Sequence, residues 1–283
     1  MKKSLLSIGH GYSAQALGRQ LIPLGWHVVG TSRDAGDLPA STVSIQWPHD
    51  DLTDALANAS HLLISVAPNT EGDPVLNALS EEITAAAPHL DWVGYLSTTG
   101  VYGNHDGAWV DEDTPLTPAT NRGQLRVEAE TEWQALAAKT GLPLHIFRLA
   151  GIYGPGRGPF AKVRKGTARR IIKPNQLFSR IHVDDIAATL LASINRPDPG
   201  RVYNVCDNNP APPQDVIAYA AELLGLPIPI AVDYDSAEMT PMARSFYAES
   251  KSVHNERIKA ELGVTLRYPT YRDGLQALLE NEN

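Results

Sequence analysis

Six residues near the start of the chain constrain its fold more than any other feature. Gly9-His10-Gly11-Tyr12-Ser13-Ala14 fits the pattern G-x-G-x-x-A. It follows an apolar run, Ser4–Ile8, that reads as a strand, and it opens an amphipathic helical pattern over Tyr12–Leu24, with Gly25 as a helix stop. In such a turn Gly9 makes the tight bend, Gly11 lets the backbone approach a pyrophosphate, and Ala14 lets the helix lie close on the strand. The free N–H groups and positive dipole end of the helix then face the phosphates. A second apolar run, Trp26–Gly30, completes the unit, so Gly9–Ala14, with His10, Tyr12 and Ser13 between the small residues, is read as a dinucleotide site. Within it His10 is loop filler.

The end of the second strand bears on which dinucleotide. An acid about 20 residues past the glycines would bind the ribose hydroxyls of NAD, whereas an arginine accommodates a 2′-phosphate. The chain reads Gly30-Thr31-Ser32-Arg33 there, so NADP is preferred over NAD, with Ser32 and Arg33 on the phosphate. The alternative for Arg33 is an exposed turn residue neutralised by Asp34.

Further strands are expected at His61–Val66, Trp92–Ser97 and Leu144–Leu149, with helices near Asp73–Ala87 and Asn121–Lys139 between them. This alternation predicts an α/β fold, a doubly wound parallel sheet with helices on both faces. Beyond Arg148 the pattern changes: Gly and Pro crowd into GIYGPGRGP, and a helix at Val183–Asn195 and a strand at Arg201–Val205 follow. Residues 1–150 are therefore read as a dinucleotide-binding domain, completed by segments from further on, and 151–283 mainly as a smaller α/β substrate lobe. The length of 283 residues accommodates both.

Composition narrows the function. With 24 basic and 32 acidic side chains the net charge is −8, which argues against a nucleic-acid partner. No apolar run reaches the roughly 18–20 residues of a membrane helix, and the start is too short in apolar residues for a secretion signal. A single cysteine, Cys206, excludes an intrachain disulfide and points to a reducing, cytoplasmic setting; no metal-ligand spacing is present. Charge is uneven, however. From Trp133 to Val183 there is no Asp or Glu, while ten Lys and Arg fall there, among them Arg148, Arg157, Lys162 and Arg180. Such a stretch at a domain junction would draw a small anionic ligand toward a cleft; a solvated basic surface is the other reading.

LSTTGVYG at Leu96–Gly103, RLAGIYGPG at Arg148–Gly156, RIHVDDIA at Arg180–Ala187 and YNVCDNNP at Tyr203–Pro210 run in the order, and over nearly the whole chain, in which they resemble the extended short-chain dehydrogenase/reductases, the NAD-dependent epimerase/dehydratase family. The resemblance implies a Rossmann-type sheet with a C-terminal substrate lobe, often in a homodimer, and hydride-transfer chemistry on nucleotide sugars or related carbonyl compounds. It places Thr98 where the family keeps a catalytic Ser or Thr. It sets Asp51-Leu52 against the adenine and Ala67-Pro68 beside the adenosine ribose. For Thr98 a strand-end hydroxyl satisfying backbone is an equal alternative, and the Asp51 and Ala67 pairs are as readily ordinary loop residues.

The departures are as informative. Where the family carries Tyr-x-x-x-Lys, this chain has Arg122 and Arg126. The family's tyrosine exchanges a proton while its lysine lowers that tyrosine's pKa and holds the ribose; an arginine, with a pKa above about 12, does not exchange a proton usefully at neutral pH, so the usual mechanism does not carry over. Leu125, Ala129, Trp133 and Leu136 follow Arg122 at helical spacings, which puts Arg122 on the inward face with its guanidinium reaching into the cleft toward a substrate anion or carbonyl. Arg126 falls at the edge of that face with Glu130 as its i,i+4 partner, and a structural salt bridge is favoured for it over a cofactor contact. A nearby tyrosine, Tyr102 or Tyr153, is the candidate proton donor. Where relatives have an arginine for the nucleotide diphosphate the chain has Phe178, and Arg180 lies two positions on as a substrate-binding candidate. The expectation is an atypical NAD(P)-dependent oxidoreductase or epimerase/dehydratase-like enzyme; the alternative is a sensor or scaffold that binds NAD(P) without chemistry.

Overall fold

The computed structural model describes residues 3–34, 39 and 41–282. Seven strands form one parallel sheet: β1 (Ser4–Ile8), β2 (His27–Ser32), β3 (Val43–Gln46), β4 (His61–Ile64), β5 (Trp92–Thr98), β6 (Leu144–Leu149) and β7 (Val202–Val205), in the order β7-β6-β5-β4-β1-β2-β3. Strand β1 pairs on one side with β2 (Leu5 opposite Val28) and on the other with β4 (Leu5 opposite His61), so the strand order reverses beside it. In an open parallel sheet the crevice beyond the strand ends at this reversal is the ligand position.

Alternation along each strand builds two cores. Leu5, Leu63, Leu96 and Phe147 face helices α1 (Tyr12–Leu21) and, further along the chain, Val183–Asn195. Leu6, Leu62, Ile64 and Tyr95 face α2 (Pro74–Ala86) and α3 (Asn121–Thr140), with Trp133 fully buried among them. The Asp73 carboxylate caps α2 by accepting from the N–H groups of Val75 and Leu76, and its other oxygen accepts from the Trp133 indole at 3.2 Å, tying α2 to α3.

The first helix runs to Leu21 and tightens into a 3₁₀ turn at Ile22–Leu24, closed by Gly25 in the left-handed region (φ +81°). The short edge strand β3 and a small helix, Thr53–Ala57, are additions to the elements legible in the sequence. Past Leu149 the chain supplies helix α4 (Val183–Asn195), which packs on α1, and strand β7, which extends the sheet. It also forms a separate apolar cluster of Tyr153, Phe160, Val163, Ala220, Tyr271 and Leu275. Cys206 is buried. Among the described residues no helix is long and apolar enough to cross a membrane.

Candidate functional site: the crevice at the end of β1

The glycine loop is held from two directions. Gly9 N–H donates to Thr31 Oγ1 at 2.8 Å and His10 N–H to the Thr31 carbonyl at 2.8 Å, so β2 anchors the turn. Gly9 has φ +81°, and a Cβ there would stand 2.9 Å from Val66 Cγ2, so only glycine fits. A Cβ on Gly11, by contrast, meets nothing nearer than the Gly9 carbonyl at 3.9 Å and points into open space. Helix α1 begins at Tyr12 with no side-chain cap and no acid in its first turn. These uncapped N–H groups beside a glycine with free space over it fit a pyrophosphate. Ala14 is buried in the α1 core, and Ser13 is also buried. His10 is turned inward against Gly18, 2 % exposed, and burial lowers its pKa to about 4.

Around the loop, Ser32 and Arg33 stand at the tip of β2. The Ser32 hydroxyl donates to the Asp34 carbonyl, and the Arg33 side chain is exposed and free of an ion pair with Asp34. Asp51 is exposed and accepts from the Thr53 amide and hydroxyl, which hold its carboxyl below the usual range, while Leu52 is core. Ala67 and Pro68 lie three and four residues past the end of β4.

Helix α3 shows the largest difference from the sequence reading. Its buried face is Gly123, Arg126, Ala129, Glu130 and Trp133, so Arg126 is inside (7 % exposed) and Arg122 is exposed. Gly123 sets this phase. A Cβ there would lie 2.8 Å from the Gly100 carbonyl and 2.9 Å from Pro118 Cβ, so the helix docks with its glycine against the turn after β5. The expected Arg126–Glu130 pair is also absent. Arg126 Nη1 donates to the Tyr95 hydroxyl and the Leu96 carbonyl, both at 2.9 Å. Glu130 instead accepts from the Ser97 hydroxyl and pairs with Arg148 of β6 at 2.8 Å, both side chains 5 % exposed or less. That network of Ser97, Glu130 and Arg148 had no local signature.

The two tyrosines considered as proton donors face away from the crevice. Tyr102 is fully buried; its hydroxyl donates to Asn204 Oδ1 at 2.7 Å and accepts from Arg148 at 2.9 Å, and burial pushes its pKa up to about 12. Tyr153 lies edge-on to His182 in the C-terminal apolar cluster with its hydroxyl toward the Thr270 carbonyl, and burial pushes its pKa far up. Neither presents a proton to a ligand. Arg180 donates from Nη1 to the carbonyls of Phe178 and Ala211, turned into the lobe near Asp207, whose carboxyl burial raises to about 7.

Thr98 and Arg122 are less enclosed than these. Thr98 is half-buried at the end of β5, and its Oγ1 accepts from the Gly100 amide at 3.1 Å, which leaves the hydroxyl proton to donate elsewhere. Arg122 has no carboxylate partner among the described residues; partial burial and the neighbouring guanidinium groups of Arg126 and Arg157 push its pKa down.

This parallel sheet, with a glycine turn at its strand reversal and a Thr98-Thr99-Gly100-Val101-Tyr102 turn beyond β5, defines a dinucleotide-dependent epimerase or reductase scaffold. Residues 9–206 match the NAD dependent epimerase/dehydratase family, and the chain belongs to that family. It is similar to a functionally unknown conserved protein from Silicibacter pomeroyi DSS, with 60% identity and a TM-score of 0.93 over 99% of both chains. Protein YeeZ of Escherichia coli (strain K12) is 29% identical over 286 residues, covering 94% of this chain and 97% of YeeZ. UDP-glucuronic acid 4-epimerase from Bacillus cereus, in complex with UDP-glucuronic acid and NAD, shares the fold at a TM-score of 0.79 and 18% identity over 98% of both chains. The family is NAD-dependent, which supports NAD binding by this chain, and the uncapped amides of α1 with the free space over Gly11 fit the pyrophosphate of such a cofactor.

Proposed function

We propose that the protein is an NAD(P)-dependent oxidoreductase of the epimerase/dehydratase type, acting by hydride transfer at a carbonyl or secondary alcohol of a small anionic substrate. The observation that carries the reading is Arg122, an exposed cation with no carboxylate partner among the described residues and two further arginines near it, at the helix position where relatives place their proton-exchanging tyrosine. A cation so placed is stabilised by an anion. Held at Gly9–Ala14, the cofactor would supply the hydride chemistry. Thr98 donates its free hydroxyl proton to the reacting oxygen, Arg122 holds the substrate charge or polarises the carbonyl, and the accompanying proton is exchanged with solvent in the open crevice. Residues 1–150 form the dinucleotide half in this reading, and 151–283 most of the substrate lobe. The bound UDP-glucuronic acid of the Bacillus cereus epimerase is itself an anionic sugar nucleotide, which supports this substrate class. A cytoplasmic homodimer is the proposed setting, consistent with a single buried cysteine.

Arg122→Leu tests the reading. Because Arg122 is exposed and has no carboxylate partner among the described residues, the variant is expected to melt with the wild type and keep its NAD affinity, while losing turnover across a panel of carbonyl compounds and sugar nucleotides followed at the nicotinamide absorbance. Unchanged turnover would remove Arg122 from the site. A second reading, an NAD(P)-binding sensor without chemistry, is favoured by the inward placement of Tyr102 and Tyr153. Its signature is tight cofactor binding with no turnover of any panel member by the wild type.

Preference for NADP is the finer part of the proposal. Arg33 is exposed at the tip of β2 with no ion-pair partner among the described residues, available to a 2′-phosphate. A charge-assisted contact of about 1.5–3 kcal/mol corresponds to roughly ten- to hundredfold in affinity. Calorimetric titration of Arg33→Ala is expected to show that loss for NADP and little change for NAD. Equal losses, or a wild-type preference for NAD, would count against it.

A further inference from the structure

The turn Gly154-Pro155-Gly156-Arg157 crosses from the C-terminal part of the chain to the glycine loop. It is closed by two reciprocal backbone bonds, Gly154 N–H to the Arg157 carbonyl and Arg157 N–H to the Gly154 carbonyl, both 2.9 Å. Proline at the second position and Gly156 at φ +71° in the third suit a tight turn, so the position of Arg157 is set by the backbone. The turn is fastened to α1 at one point. The hydroxyl of Tyr12, the first residue of the helix and the one next to Gly11, donates to the Pro155 carbonyl at 2.9 Å. Packing at Gly154 reinforces the contact: a Cβ there would stand 2.5 Å from the Tyr12 hydroxyl and 2.8 Å from Val183 Cγ1.

This arrangement lays the Arg157 guanidinium over the Tyr12 ring, 5.7 Å from its centroid. Arg157 is exposed, has no carboxylate partner among the described residues, and lies within electrostatic range of Arg122. A planar cation is thus held on an aromatic platform, the ring of the residue that follows Gly11 in the chain. From there a fork of N–H donors matches the geometry of phosphate oxygens.

We propose that Arg157 is a pyrophosphate clamp: with Tyr12 as its platform and latch, it closes over the dinucleotide phosphates that Gly11 and the first turn of α1 receive from below. This rests on the glycine loop being the cofactor site, and not on Arg122 or on any substrate. The clamp explains why the aromatic residue next to Gly11 bonds outward to a distant turn. It also gives the basic stretch between Trp133 and Val183 a specific member at the crevice. As a clamp it engages the second phosphate of a dinucleotide, which a mononucleotide does not offer.

Calorimetric titration with NAD, ADP-ribose and AMP decides the matter without any measurement of activity. Arg157→Ala is expected to bind ADP-ribose and NAD ten- to hundredfold more weakly than the wild type. Its AMP affinity should stay within about twofold, with an unchanged melting curve. Arg157→Lys should recover part of the loss, since a point charge remains without the fork. Tyr12→Phe, which keeps the ring and removes the bond to Pro155, should weaken ADP-ribose but not AMP. ADP-ribose affinity equal to wild type in Arg157→Ala would overturn the clamp, as would equal losses for AMP and ADP-ribose. A wild type that binds NAD with neither variant affected leaves the cofactor site standing and the clamp refuted; a wild type that binds no dinucleotide overturns both.

Discussion

A Gly11→Val protein is expected to fold like the wild type and to lose dinucleotide binding. Gly11 has φ −87°, an ordinary value for an L-residue, and a Cβ there touches nothing closer than 3.9 Å, so the fold offers no objection to a side chain. The space it would occupy is the space through which phosphates reach the first-turn amides of α1. A branched side chain there keeps the phosphates from several N–H groups at once, and hydrogen bonds to charged groups are worth about 1.5–3 kcal/mol each. The expected loss of NAD affinity is therefore at least about a hundredfold. Gly9→Ala is the contrasting control. Its Cβ would meet Val66 at 2.9 Å from a backbone with φ +81°, so there stability itself should fall, by about 1–2 kcal/mol from the left-handed conformation alone. Undiminished NAD affinity in a folded Gly11→Val protein would remove the loop from the cofactor site.

The largest expected stability effect lies beneath the crevice. Glu130 and Arg148 form a buried pair at 2.8 Å, and Glu130 also accepts from Ser97. Glu130→Ala would leave the guanidinium buried with only the Tyr102 hydroxyl and a peptide carbonyl as partners. Removing one member of such a pair costs about 3–5 kcal/mol. At roughly 2–4 °C per kcal/mol for a chain of this size or somewhat smaller, the melting midpoint should fall by about 10 °C. Replacing both members, as in Glu130→Leu with Arg148→Met, should recover much of the loss, because two apolar groups of similar volume carry no unpaired charge. A midpoint within about 2 °C of wild type in Glu130→Ala would show that water already reaches Arg148.

Elements whose apolar pattern is local were legible in advance. Ser4–Ile8 and Leu144–Leu149 begin and end where their apolar runs do, and helix α4 spans the expected Val183–Asn195. Strand β3 was not, because Val43-Ser44-Ile45-Gln46 is an edge strand with half its residues exposed and no continuous apolar run. Helix α3 was located correctly but rotated. Its inward face carries Arg126 and Glu130, so apolar spacing counted from Arg122 followed the wrong stripe. The expected site residues divide for the same reason. Arg122 is exposed and Thr98 half-buried, while Tyr102, Tyr153, Arg126 and Arg180 are engaged with partners from other elements.

By itself the sequence determined the dinucleotide loop and the parallel α/β frame that carries it. A glycine turn between a strand and a helix is specified within about a dozen residues, by backbone dihedrals, hydrophobic period and the uncapped amides of one helix end. Only the tertiary structure decided which side chains face the ligand. Gly123 against Gly100 rotates Arg122 outward and Arg126 inward, Arg148 takes Glu130 from a neighbouring strand, and the Tyr12 hydroxyl ties the start of α1 to Pro155 in a turn far along the chain. A side chain's direction is settled by the partners that satisfy its polar atoms and fill its surroundings, and here those partners come from other strands and turns.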